Sequence, residues 1–136
     1  MGSLSSFMQD ELLDHLFKTG AYTAPTNIYV ALLTSTPDSE DTGTTFPGEV
    51  TGTSSLVRIK CNTWDAATGN PGATENTQPV TFAQATADIG TVTHFGLADK
   101  TTLGNAIGWG ALSVSRVISS GDTARFATGD LDVTLT

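Results

Sequence analysis

The stretch ATADIGTVTHFGLAD, Ala85 to Asp99, holds the side chains of this 136-residue chain most suited to chemistry. His94 is one of two histidines, and Asp88 and Asp99 lie on either side of it. An imidazole beside a carboxylate or a nucleophile does general acid–base work, and with two further ligands it binds a metal. The spacing offers neither. Along an extended strand the two aspartates stand about 35 Å apart, too far for the facing carboxylates of a glycosidase. The other histidine, His15, falls in a different element. The stretch therefore reads as turn, strand, turn: Asp88-Ile89-Gly90 enters, Thr91 to Leu97 pairs in a sheet, and Asp99 leaves. In that strand Val92 and His94 share one face, and Thr93 and Phe95 share the other.

The remaining candidates are dispersed. Cys61 alternates with Val57 and Ile59, which makes it a small core residue; a reactive thiol needs a cationic, exposed setting. The twelve residues DSEDTGTTFPGE place Asp38, Glu40, Thr42, Gly43 and Glu49 at positions one, three, five, six and twelve of an EF-hand-like loop. The segment before them reads as a strand, Phe46 and Pro47 crowd the second half, and no helix follows. A solvated acidic loop is the expectation, and calcium at Asp38, Glu40 and Glu49 is the one cofactor left open. Trp109 lies between two glycines in GWGA, which leaves room for an indole against a neighbouring backbone or subunit. Trp64 opens the loop DAATGNPG and is placed to pin it. Asn62-Thr63-Trp64 and the loop to Gln78 offer an aromatic platform with amides, the chemistry of a glycan-binding surface. Phosphate loops, zinc spacings, serine elbows and paired-carboxylate motifs do not occur.

These residues need elements to hold them. Leu4, Met8, Leu12 and Leu16 recur every fourth residue, joined by Leu13 and Phe17. Ser6 with Gln9 has the form of a capping box. Asp10 and Glu11 fall in the expected first turn and His15 and Lys18 in the last, as the helix dipole prefers, and Gly20 then Pro25 stop the run. The pattern predicts one amphipathic helix over 6–19. Leu4, Phe7 and Met8 widen its apolar stripe into a candidate contact surface.

From about residue 27 to 136 the chain reads as strands and turns. NIYVALLTS, bounded by Pro25 and Pro37, suits a strand buried on both faces. SSLVRIKCNTW sets Val57, Ile59 and Cys61 against Arg58 and Lys60. DAATGNPGATENTQ reads as a loop and PVTFA as a short strand with Val80 and Phe82 on one face. GTVTHFGLA and AIGWGALSVSRVI follow as strands. Turns at Gly121-Asp122 and Gly129-Asp130 lead to LDVTLT, where Leu131, Val133 and Leu135 point one way. Met1-Gly2-Ser3 is assigned to no element. Strand spacings of roughly ten residues predict an antiparallel β-sandwich or barrel-like domain with one N-terminal helix, a single domain over 1–136.

Composition narrows the function. Net charge is −8 and the pI about 4.3, so the basic footprint of nucleic-acid binding is missing, as is attraction to an anionic membrane surface. Only 15% of residues are charged, which leaves a neutral surface of Thr, Ser, Asn and Gly. One cysteine excludes an intrachain disulfide and fits assembly in a reducing cytoplasm. The N-terminus has no basic start and no long apolar run, so no signal peptide is expected. No segment approaches the ~20 apolar residues of a membrane span.

Three segments together have a family look: YVALLTSTPDSEDTGTTFPGEVTGTS, NTWDAATGNPGATENTQPVTFAQATADIGTVTHFGLAD and AIGWGALSVSRVISSGDTARFATGDLDVTL. Over about residues 4 to 136 the chain resembles a family of small tailed-bacteriophage virion structural proteins of tail-fibre-like type. Where that pattern carries a tyrosine-alanine-arginine-like segment and a tryptophan, this chain has Ser55-Leu56-Val57-Arg58 and Ile89, both compatible with strands. The resemblance implies a non-enzymatic virion subunit assembled in the host cytoplasm. Such a subunit packs against the major capsid protein as decoration or cement, or against tail proteins, and forms a homo-oligomer such as a trimer or ring. A host-recognition module binding glycan or protein is the alternative. Leu4, Phe7, Met8, Trp64 and Trp109 are the expected partner contacts, with no catalytic residue and no resident metal.

Overall fold

A computed structural model gives the fold and describes residues 2–51 and 56–135. Among the described residues the order is β1 (Gly2–Leu4), α1 (Ser6–Leu16), β2 (Tyr29–Leu33), β3 (Ile59–Lys60), β4 (Ala73–Glu75), β5 (Val80–Gln84), β6 (Gly90–Ala98), β7 (Ala106–Ile118), β8 (Thr123–Phe126) and β9 (Asp132–Thr134). Seven strands form one sheet in the order β3-β2-β6-β7-β1-β9-β4, and β5 pairs with β8 in a small second sheet. Pairing is antiparallel except at β1–β9, where Gly2 meets Val133 in parallel. The molecule is a mainly β sandwich with one helix near its N-terminus, not a closed barrel.

Burial explains why β2 is apolar throughout. Val30 and Leu32 face the main core, with Phe95 and Leu97 of β6, Val80 and Phe82 of β5, and Leu56, Cys61 and Leu131 from the connections. Ala31 and Leu33 face the other way, where Phe46 covers them together with Ala98 and Ala106. Gly96 makes this second layer possible, because a Cβ there would lie 2.9 Å from the Phe46 ring. Full burial of a leucine such as Leu33 contributes about 1.5–3 kcal/mol. The acidic loop that carries Phe46 is thus a lid on the outer face of the large sheet.

Arg58 fastens that lid. Its Nε donates to Glu49 Oε1 at 2.6 Å and its Nη2 to Glu49 Oε2 at 2.8 Å. Nη1 donates to the carbonyls of Lys100 and Leu103, both at 2.9 Å, and Nη2 also to that of Gly43. One buried guanidinium therefore ties three loops together. The sequence pattern put Arg58 on the solvent face and Val57 inside; the reverse holds, with Val57 exposed and Arg58 buried. Alternation fails here because the strand proper is only Ile59–Lys60, and because a fully paired arginine satisfies its charge without water. The first residues of that expected strand, Ser54 and Ser55, lie outside the described residues.

Other expectations shift for local reasons. Ser5 rather than Ser6 caps α1: its backbone is extended and its Oγ accepts from the Met8 amide. The Gln9 side chain accordingly reaches the Leu4 carbonyl at 3.0 Å. The helix ends at Leu16, three residues before position 19, because Lys18 takes a left-handed backbone (φ 63), so Lys18 falls outside it, the first turn carries no acidic residue and only His15 meets the dipole in the last. The segment before the helix becomes β1, pairing with β7 from Gly2↔Gly110 to Leu4↔Gly108. The expected loop after Trp64 contains β4, paired to β9, and TARF forms β8. In the last strand Leu131 and Thr134 are buried while Leu135 is exposed. Asn76, fully buried, joins these parts: Oδ1 accepts from the Leu131 amide, and Nδ2 donates to the carbonyls of Gln78 and Ala127.

Candidate functional site

His94 sits in β6 opposite Leu33 of β2 and Ala111 of β7. A register shift between Val92 and His94 moves His94 to the Phe46 side, whereas Val92 stays with the main core. The two therefore do not share a face; the bulge breaks the period of two. The His94 Nδ1 lies 2.8 Å from Thr93 Oγ1, and its ring meets Trp109 edge-to-face with centroids 6.2 Å apart. Burial pushes its pKa below the ordinary histidine value.

The flanking aspartates are turn residues. Asp88 Oδ1 accepts from the Ser120 amide at 2.8 Å. Asp99 accepts from the backbone and side-chain nitrogens of Asn105, at 2.8 and 3.0 Å. Cys61 is buried in the main core, and desolvation raises its thiol pKa, the opposite of activation. In the acidic loop Glu49 is committed to Arg58, Glu40 Oε1 accepts from Ser6 Oγ at 2.6 Å, and Asp38 Oδ1 accepts from the Glu40 amide at 2.8 Å. Among the described residues no three His, Cys, Asp or Glu side chains converge as a metal site, so the three EF-hand-like positions are not brought together. The carboxylates and the thiol singled out in the sequence are thus each engaged in local structure.

The tryptophans are similarly engaged. Trp64 Nε1 donates to the Cys61 carbonyl at 2.8 Å and the indole packs on the main core. Its neighbour Asn62 accepts from the Ile28 amide and donates to Asn27 Oδ1, both at 2.8 Å. Trp109 pairs across the sheet with Ser3 and Gly96. Gly108 beside it makes room for β1 rather than for the indole, since a Cβ there would meet the Ser3 carbonyl oxygen at 2.4 Å. The Trp109 Nε1 hydrogen is buried and unpartnered among the described residues.

What remains open is α1. Met8 is buried within the monomer and Leu4 is half-buried in β1. Phe7 is at the exposure boundary, but Leu13, Leu16 and Phe17 are 54%, 70% and 74% exposed. Leu4, Leu12, Leu13 and Leu16, with Gln9 and Leu135, line a groove of about 280 Å³. Of the helix residues expected at a contact, Met8 points into the fold and Phe7 stays exposed, while Leu13, Leu16 and Phe17 form the larger exposed apolar face. Their signal was in the four-residue recurrence of Leu4, Met8, Leu12 and Leu16 with Leu13 and Phe17 beside it; the choice between core and surface was not, because only packing decides which side of a wide stripe is covered. Ser5 anchors the helix start, its amide donating to the Ile107 carbonyl at 3.0 Å and its Oγ to the Ala106 carbonyl.

The structure is thus a β-sandwich with dispersed candidate reactive groups and an uncovered apolar helix face. The sequence matches the family described as Podophage GP4 fiber I protein gp80 over residues 3–134, and the chain belongs to that family. No curated protein matches the chain. Among the described residues no helix is long and apolar enough to cross a membrane.

Proposed function

We propose that this chain is a non-enzymatic structural subunit of the virion, carried in the tail-fibre apparatus, which assembles through the apolar face of α1. The observation behind the proposal is the exposure of Leu13, Leu16 and Phe17 on a helix that the sheet has already fixed in place. An apolar patch of this kind on a monomer marks a contact surface. Fibre membership favours the tail over capsid decoration. The occupant is a second copy of the chain, since a helix stripe packs against its own symmetry mate without a dedicated partner. Other tail proteins then meet the assembled oligomer.

The test is the mass of the full chain by light scattering against concentration, for the wild type and for Leu13→Asp with Leu16→Asp. The wild type is expected to be oligomeric and the double variant monomeric, with an unchanged far-ultraviolet circular dichroism spectrum. A wild type that stays monomeric at every concentration defeats the proposal, as does a variant that assembles like the wild type.

A further inference from the structure

We infer that the cleft between β7 and β8 is a binding site for an acidic sugar, of the hexuronate type, held by Arg116 and Arg125. The two strands leave one tight turn, where the Asp122 amide donates to the Ser119 carbonyl at 3.0 Å, and then part into different sheets. β7 pairs with β1 only as far as Gly110, and β8 pairs only with β5. Their facing edges therefore hold free backbone donors and acceptors.

Between those edges lies a cavity of about 350 Å³, continuous in its lining with a second of about 280 Å³. Leu112, Arg116, Arg125 and Phe126 line both. The floor is core: Leu32, Val92 and Ile118. The size and the apolar floor with a few polar groups suit a small ligand.

The charges give its sign. This chain carries 14 carboxylates against six lysines and arginines, yet two of its three arginines meet here. Neither guanidinium has an ion-pair or hydrogen-bond partner among the described residues, in contrast to that of Arg58. A guanidinium fork prefers a carboxylate or phosphate. Asp122 and Asp130 stand in the same lining. One oxygen of each already accepts from a turn amide, Ser119 for Asp122 and Ala127 for Asp130; the other opposes a multiply charged phosphate and can accept from a hydroxyl, and Ser113 and Thr123 add hydroxyls of their own. One carboxylate amid several hydroxyls, with an apolar ring face for Phe126 and Leu112, is the chemistry of a uronate. An acidic peptide strand fits less well, because a ladder needs edges at constant spacing and these diverge from their turn. The site is separate from the α1 face, so it stands or falls independently of assembly.

The test is titration of the ¹⁵N-labelled full chain with trigalacturonic acid, with maltotriose as the neutral probe and tetraglutamate as the peptide probe. Saturable shifts confined to amides of residues 112–118 and 122–130 are expected with trigalacturonic acid alone, weakening as salt is added. Arg116→Ala with Arg125→Ala is expected to weaken binding at least about tenfold, with Arg116→Lys and Arg125→Lys between. Both arginines are exposed, so the variants keep the wild-type denaturation midpoint. Absence of saturable shifts overturns the inference. So does binding that the double alanine variant retains, or a response to tetraglutamate or maltotriose equal to that of the uronate.

Discussion

At the scale of single residues, Arg58 carries more of the fold than any other polar side chain described. Its side chain is 2% exposed and that of Glu49 15%. Removing one partner of such a pair leaves the other buried and uncompensated, at a cost of about 3–5 kcal/mol. Arg58→Met is expected to lower unfolding free energy by that order in urea, and Arg58→Met with Glu49→Leu to recover most of it. Equal losses in both variants would show that the backbone carbonyls, and not the ion pair, set the cost. His94 gives a second prediction, in pH. Its folded pKa lies below the ordinary value of 6.5, because burial disfavours the charged ring. The unfolded chain takes up the proton first as pH falls, so stability is full above that value and is lost below it, until the folded ring also protonates. Between about pH 7.5 and about pH 5.5 the wild-type urea midpoint should fall more than that of His94→Gln; identical slopes would remove His94 from the account. Neither residue's place was legible beforehand. Arg58 contradicts the rule that charge faces water, and a bulge moved His94 off the face its neighbours predicted.

At the scale of elements, the sequence was most informative where periodicity ran long. β6 and β7 match the stretches GTVTHFGLA and AIGWGALSVSRVI to the residue, because bounding turns and β-branched runs agree there. Short strands were poorly legible. β1, β4 and β9 each have three residues, too few for alternation to register, and they exist because long neighbours offer them an edge. β1 depends on one such accommodation. A methyl group at Gly108 would press on the Ser3 carbonyl oxygen, a backbone atom that cannot swing away. Gly108→Ala is expected to cost about 1–3 kcal/mol through overpacking and to speed hydrogen exchange at the Ser5 amide, which bonds to Ile107. Unchanged exchange at Ser5 would mean that β1 tolerates the displacement. The helix was legible as a helix, yet its working face was not, since the stripe Leu4-Met8-Leu12-Leu16 divides between core and surface only after β1 has fixed its start.

At the scale of the whole molecule, charge sets the conditions under which assembly occurs. Copies carrying −8 each repel one another, while the α1 face attracts through apolar burial that salt does not screen. Raising ionic strength shortens the Debye length to about 10 Å at 0.1 M, so the proposed α1-mediated oligomer should strengthen with salt while the proposed uronate binding weakens. Opposite salt responses would separate the two surfaces in one preparation. The fold class was legible in the composition and turn spacing. The Arg116–Arg125 cleft was not, because it arises from two consecutive strands that join different sheets, a choice no local pattern records.

The parallel contact of Gly2 with Val133 has a consequence for biosynthesis. β1 is synthesised before β9, one of its two sheet neighbours, so the large sheet is incomplete until β9 has been made. A chain cut short before Val133 lacks β9, leaves β4 without its ladder and bares the β1 edge, an open template for pairing with another chain.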